Sequence, residues 1–168
     1  LDEKHQEERF RVGQDALIRF FNAEEKLNSK PLYIEKEFSF SFENNKIRGR
    51  FDRVDMEKDG AVIIDFKTSQ LIKQKDADKR TKESMQLALY AMAYENIFGK
   101  LPIRVELHFL ESGLIGTDTK DEQDLEELKE NMREVSEGVR KQNFSAAPGY
   151  MVCTYCAYNQ ICQFAVIK

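Results

Sequence analysis

Asp52, Asp65 and Lys67 are the residues of this 168-residue chain whose types and spacing could do chemistry. They fall within Ile47 to Ser69, IRGRFDRVDMEKDGAVIIDFKTS, where carboxylates and a lysine interrupt what otherwise reads as buried β-structure. Two runs rich in β-branched and aromatic residues flank Glu57-Lys58-Asp59-Gly60, a polar turn ending in glycine, and predict a β-hairpin. Alternation along a strand sends Asp65 and Lys67 to one face and Val62, Ile64 and Phe66 to the other, with Asp52 expected across the ladder from the acid and the lysine. An acid two residues from a lysine, facing a second acid, suits a divalent cation held beside a fixed positive charge. That is the chemistry of phosphodiester hydrolysis. The competing reading, Asp65 and Lys67 as a solvated pair on an edge strand, sits badly with the apolar run Ala61 to Phe66, because a buried unpaired carboxylate costs several kcal/mol and calls for a partner.

The elements that must position these residues follow from periodicity. Leu1 to Leu27 reads as a helix with Phe10, Leu17, Phe20, Phe21 and Glu24 on a packing face, ended by Asn28-Ser29-Lys30-Pro31. Leu32 to Phe42 alternates Phe38, Phe40 and Phe42 with serines, a strand with one buried face, and Asn44-Asn45 turns the chain back. Glu35 is expected to face outward from this strand. After Ser69 comes a lysine-rich connection with no apolar period, read as a mobile or ligand-ordered loop. Glu83 to Phe98 is a helix with Met85, Leu89 and Met92 on its core face and Gln86 and Tyr90 together on another. Ile103 to Leu110 alternates again, Val105, Leu107 and Phe109 inward, Arg104, Glu106 and His108 outward, and the strand–helix–strand order implies a parallel crossover. Thr119 with Glu122 resembles a capping box opening a long amphipathic helix through Arg140. The fold class is α/β (α+β), a central mixed β-sheet with an antiparallel hairpin and flanking helices.

Composition narrows the functional classes. The length suits one ordinary domain, and no apolar run is long enough to span a bilayer. Three cysteines, all in the last stretch, argue against a secreted disulfide framework and for a cytoplasmic protein with a metal site. A net charge of −4 is unusual for a nucleic-acid binder, but its distribution is uneven. Lys46, Arg48, Arg50 and Arg53 share the strand of Asp52, and Lys67, Lys73, Lys75, Lys79, Arg80 and Lys82 follow Asp65, a placement around the candidate site that favours a DNA track over simple solvated faces. His5 reads as a solvated histidine.

Gly49-Arg50-Phe51-Asp52, then Asp65-Phe66-Lys67, then Gln86-Leu87-Ala88-Leu89-Tyr90 on a helix resembles the PD-(D/E)xK nuclease superfamily, specifically its RecB-like branch with a restriction-endonuclease-like core. The tail Cys153-x2-Cys156-x5-Cys162 is similar to the cysteine run of iron–sulfur members such as AddB-type nucleases. The resemblance implies Asp52, Asp65 and the Phe66 carbonyl as ligands of Mg²⁺ or Mn²⁺, Lys67 orienting or deprotonating the nucleophile, and Gln86, Tyr90 and Arg53 supporting the site or contacting DNA. It also implies a [4Fe–4S] cluster on Cys153, Cys156 and Cys162 with a fourth cysteine upstream. Three cysteines with no nearby histidine do not complete a zinc site, and reduced structural thiols remain the bland alternative. RecB-like members carry a metal-ligating histidine on a helix ahead of the strands. His5 is not assigned that role.

These readings converge on one RecB-like nuclease domain over residues 1–168, a fragment of a longer protein, with residues 150–168 as its cysteine segment. The expected function is a metal-dependent DNA exonuclease or flap-type nuclease module of a UvrD- or AddB-type helicase–nuclease in repair and recombination. Its expected partners are single-stranded or frayed duplex DNA and helicase domains or a helicase subunit, with no membrane. The rivals are a catalytically silent DNA-binding scaffold and a CRISPR-adaptation-type nuclease. The chain by itself is expected to fold, bind divalent metal weakly, lack the cluster and cleave poorly, since the histidine and the fourth cysteine of the resemblance precede its first residue.

Overall fold

Glu57 to Gly60 closes the central hairpin with reciprocal backbone hydrogen bonds, Glu57 N to Gly60 O at 2.9 Å and Gly60 N to Glu57 O at 3.3 Å. It joins β2 (Asn45–Met56) to β3 (Ala61–Lys67) in the computed structural model, which describes residues 2–27, 30–69, 71 and 73–167. With β1 (Pro31–Phe42), β4 (Arg104–Phe109) and β5 (Leu114–Asp118) these strands form one mixed sheet in the order β1-β2-β3-β4-β5. Only β3 and β4 run parallel. The crossover between them passes through α2 (Gln74–Lys82) and α3 (Met85–Phe98).

The two faces of the sheet are covered by different helices. Phe66 meets Phe20 of α1 (Glu3–Leu27) edge to face at 5.4 Å, whereas the preceding residue, Asp65, accepts a hydrogen bond from Gln86 of α3. Consecutive strand residues point to opposite faces, so α1 and α3 lie on opposite sides. That is why β3 is an almost continuous apolar run: Ala61, Val62, Ile63 and Ile64 are all buried, as expected of a strand covered twice. Its helix α3 is likewise apolar on most of its circumference, with Leu87, Ala88, Tyr90, Ala91, Met92, Ala93 and Tyr94 buried. Ser84 caps it by accepting from Leu87 N at 3.2 Å, and Gly99, at φ 74°, ends it. Met85, expected on the core face, is exposed.

The segment from Lys73 to Lys82 is not a structureless loop. It is α2, packed on β5 through Ala77 and Thr81, one turn apart and both fully buried. A hydrophobic period is missing because the interface is made of small residues that let the backbones approach. A Cβ at Gly116 of β5 would collide with the Thr81 hydroxyl and the Ala77 carbonyl.

Other departures have equally local causes. Asp121, not Thr119, caps α4 (Glu122–Arg140): its Oδ1 accepts from Gln123 N and Asp124 N, while Asp124 Oδ2 accepts from Asp121 N at 2.9 Å. In α1 only Ala16 is fully buried; Phe10, Leu17 and Phe21 are about two-thirds exposed. Polar contacts orient this helix, Arg19 Nη1 donating to the carbonyls of Leu110 and Glu111 and Arg9 pairing with Glu111, and they leave the large apolar side chains outward. Asn28 and Ser29, expected to end the helix, lie outside the described residues. Glu106 and His108 do not face solvent, since α1 covers their side of β4; Glu106 is buried and His108 half-buried.

The chain divides into two compact units, Leu1–Glu130 and Asn131–Lys168. The first holds the sheet, α1, α2, α3 and the start of α4. The second holds the rest of α4, a series of turns and α5 (Tyr150–Thr154), in which Cys153 is buried.

Because the α2–β5 approach leaves no room for a methyl group, Gly116→Ala should destabilise the protein by about 1–3 kcal/mol. Gly13→Ala, in the middle of α1 where nothing lies within 4 Å of the new atom, should stabilise it by about 0.5–1 kcal/mol. Urea unfolding of the two variants checks both signs.

Candidate active site

Strand β2 changes phase at Asp52. In a regular strand Phe51 and Arg53 would share a face. Phe51 instead packs against Tyr90 of α3, ring centroids 5.4 Å apart, while Arg53 pairs with Glu24 of α1 on the other side. The β1 partner is irregular at the same level: Glu35 takes φ 51° between the paired positions Ile34 and Lys36. The β2–β3 ladder stops at Arg53 and Ile64, and the next ladder donor, Phe66 N, is taken by the Asp52 carboxylate at 3.0 Å. Asp52 thus replaces a main-chain partner at the point where the strands separate, which fixes its carboxylate beside β3.

Asp65 lies next to this gap and is only 2% exposed. Its Oδ1 accepts from Gln86 Nε2 at 2.8 Å, and its Oδ2 faces Lys67 Nζ at 2.6 Å as an ion pair. Oδ2 nevertheless receives no aligned hydrogen bond among the described residues. Lys67 Nζ donates to Gln86 Oε1 at 2.8 Å, and Gln86 Nε2 also reaches the Tyr90 hydroxyl at 2.9 Å. One amide therefore holds three groups, and the i, i+4 spacing of Gln86 and Tyr90 on α3 puts both over the end of β3. Asp52, Asp65, Lys67, Gln86 and Tyr90 are brought together.

Burial pushes the Asp65 carboxyl above the ordinary aspartate range; Lys67 opposes that shift and the charge of Asp52 adds to it. Burial likewise raises the Tyr90 phenol, against the hydrogen bond from Gln86 and with the nearby charges of Asp65 and Asp52. A buried carboxyl held above its ordinary range beside a second carboxylate, with one oxygen met only by the Lys67 ammonium, makes a place where a hard cation is favoured. The donor set fits such an ion: Asp52, Asp65 and the Phe66 carbonyl, which in a strand lies on the same edge as the Phe66 N–H.

Arg53 does not join this cluster. It is buried on the α1 face, where its Nε and Nη2 donate to Asp55 at 2.6 and 2.7 Å and its Nη1 donates to Glu24. These bonds, the Asp55 bond first, hold its guanidinium far above the usual arginine value despite burial. A basic residue next to a candidate catalytic aspartate looks like a DNA contact in sequence; the phase slip at Asp52 turns it inward. Glu35 pairs with Arg50 at 2.6 Å on the surface. Beyond Arg53, the same buried face carries Arg104 bonded to Glu57 and Glu106, with His108 Nε2 2.7 Å from Glu106 Oε2. Burial alone would raise the Glu106 carboxyl, but hydrogen bonds from His108 and Arg104 outweigh it and hold it low. Nothing in the alternating pattern of β4 signals that network.

The three cysteines are not brought together as a metal site among the described residues. Cys153 is buried, Cys156 and Cys162 are half-buried, all are free thiols, and no group of three or more His, Cys, Asp or Glu side chains is placed to hold a metal ion among the described residues.

A family model described as the PD-(D/E)XK nuclease superfamily matches residues 2–163. The A-type ATP-dependent helicase/nuclease subunits of Thermoanaerobacter sp. (strain X514) and of Thermoanaerobacter pseudethanolicus (strain ATCC 33223 / 39E) are each 33% identical to this chain over 75 residues. That stretch is 45% of this chain and 6% of the length of those relatives, which are of the A type where the cysteine tail suggested a B type. The crystal structure of SSO0001 shares the fold, with a TM-score of 0.51 and 15% identity over 97% of this chain and 80% of that one.

A carboxyl raised by the fold releases its proton later in the folded than in the unfolded state, so Asp65 lowers stability as pH climbs through the ordinary aspartate range, and the penalty persists at neutral pH. Asp65→Asn should therefore raise the melting temperature of the metal-free protein by a few degrees at pH 8 and by much less at pH 4. Thermal melts of both proteins across that range check it.

Proposed function

Because this chain belongs to the PD-(D/E)XK nuclease superfamily, we propose that it hydrolyses DNA phosphodiester bonds at the cluster of Asp52, Asp65 and Lys67. The observation that carries this reading is the buried Oδ2 of Asp65, which lacks a hydrogen bond beside a second carboxylate and a lysine. Asp52, Asp65 and the Phe66 carbonyl are the groups to hold Mg²⁺ or Mn²⁺. Such an ion, when bound, lowers the pKa of a coordinated water and neutralises charge developing on the phosphoryl group.

The chain's own residues supply position and charge. Phe66 N–H fixes the orientation of Asp52, so one of its oxygens is committed to the backbone and the other is left for the ion. Lys67 is about one-third exposed, held between Asp65 and the Gln86 amide, and turned to the open side of the cluster. From there its ammonium can orient an attacking water or neutralise a phosphate oxygen. Gln86 is exposed and tied to Asp65, Lys67 and Tyr90 together, so it sets the lysine's reach. The two Thermoanaerobacter relatives are named helicase/nucleases, which supports a place for this module in a helicase–nuclease of DNA repair and recombination. No described helix is long and apolar enough to cross a membrane.

Cleavage of a labelled single-stranded oligonucleotide with Mg²⁺ or Mn²⁺ tests the proposal. Lys67→Ala should lower the rate by roughly 100-fold or more, in the range of a lost acid–base or electrostatic group, while leaving DNA affinity nearly unchanged. A parent protein that binds DNA but never cleaves it would support the silent scaffold instead. Mn²⁺ should raise the melting temperature of the parent, and Asp65→Asn or Asp52→Asn should abolish that rise even where the variant is itself more stable.

A further inference from the structure

Lys46 and Arg48 are exposed and have no acidic partner among the described residues. Arg9, Arg50, Arg53, Lys67, Arg104 and Lys120 are each paired with a carboxylate. The two lie on the β1–β2 hairpin, two residues apart on β2, so they share one face about 6.8 Å apart, close to the spacing of successive phosphates along one nucleic-acid strand. Ser41 is the cross-strand partner of Lys46 and Ser39 that of Arg48, which puts hydroxyl donors rather than acids beside them. The opposite face of the hairpin is buried through Phe38, Phe40 and Phe42, and that burial fixes the basic row outward. An open hollow of about 720 Å³ lies at this hairpin, lined by Glu37, Ser39, Lys46, Arg48 and Arg50 among others. The row continues along β2 toward the site: Arg50, its next member, precedes Asp52 by two residues on the same strand.

We propose that the outer face of the β1–β2 hairpin is the approach track for a single strand of nucleic acid, with Lys46 and Arg48 holding consecutive phosphates upstream of the Asp52–Asp65 cluster. This rests on the reading of that cluster as a nuclease site. A short straight row serves one backbone, whereas the two backbones of a duplex turn away from it. The other basic segment, α2, packs on β5 at the far edge of the sheet order from this hairpin, and its cations are interleaved with Asp76, Asp78 and Glu83.

Equilibrium binding of a fluorescent oligothymidylate, and of a blunt duplex of equal length, to the whole chain in EDTA over a range of salt concentrations tests the track apart from cleavage. The single strand should bind more tightly than the duplex. Lys46→Ala/Arg48→Ala should weaken single-strand binding by about tenfold or more and reduce the slope of log affinity against log salt by about 1.4, two contacts at roughly 0.7 each. Lys46→Arg/Arg48→Lys should restore both, and Lys75→Ala/Arg80→Ala should bind like the parent. Parent-like binding by the hairpin double variant, a matching loss in the α2 variant, or equal affinity for the duplex would overturn the proposal. Hairpin-dependent binding by a protein that never cleaves would uphold the track and remove the hydrolytic reading; cleavage with hairpin-independent binding would do the reverse.

Discussion

A carboxylate taken almost completely out of water governs the arrangement of this protein's central strands. Asp65 sits in a strand otherwise built of alanine, valine and isoleucine, and burying its charge there costs several kcal/mol unless neighbours answer it. Lys67 and Gln86 answer part of it. Lys67 comes from the same strand face, Gln86 from a helix that must be pressed against β3, and the length of the crossover, the cap at Ser84 and the apolar circumference of α3 all serve that contact. Oδ2 has the Lys67 ammonium beside it but no aligned hydrogen bond, and the charge of the second carboxylate, Asp52, adds to the cost. A structure optimised for stability alone would not place two acids so, which is the expected mark of a site where local rules are broken for chemistry.

The slip of β2 at Asp52 lets one strand serve two cores. Before it, Phe51 and the hairpin aromatics pack with Tyr90; after it, Val54 faces Ile63 across the ladder while Arg53 and Asp55 turn to α1. The aspartate side chain fills the hydrogen-bond position that the β2–β3 ladder vacates. The change of phase re-aims the side chains beside the site, and the β2–β3 pairing ends next to it.

Behind the site, α1 is fastened to the sheet by ions more than by oil. Arg53 with Asp55 and Glu24, Arg104 with Glu57 and Glu106, and His108 with Glu106 cover the face opposite Asp65. Buried pairs add little net stability, but removing one partner strands the other charge, so the Arg53–Glu24 pair sets where α1 lies on the sheet. Phe20, lying edge to face on Phe66, carries that constraint to within one residue of both Asp65 and Lys67.

Sequence alone determined the central hairpin, the parallel crossover and the meeting of Asp65, Lys67, Gln86 and Tyr90, because strand alternation in β3, a four-residue turn and an i, i+4 helical pair are local rules that the tertiary structure had no reason to override, whereas Asp52 joins them through a change of phase in β2 that alternation does not show. It did not determine α2, whose packing runs through Ala77, Thr81 and Gly116: close backbone approach leaves no hydrophobic period to read. It misplaced Arg53, Glu106 and His108 for a related reason. A charged residue in a strand looks solvent-facing until the opposing element is known, and only the docked α1, bringing Glu24 and Phe20, decided that this face is covered. The pair Lys46 and Arg48 was visible as charge, but that neither meets an acidic partner among the described residues is a property of the folded chain, since pairing depends on which strands and helices meet and not on which residues adjoin.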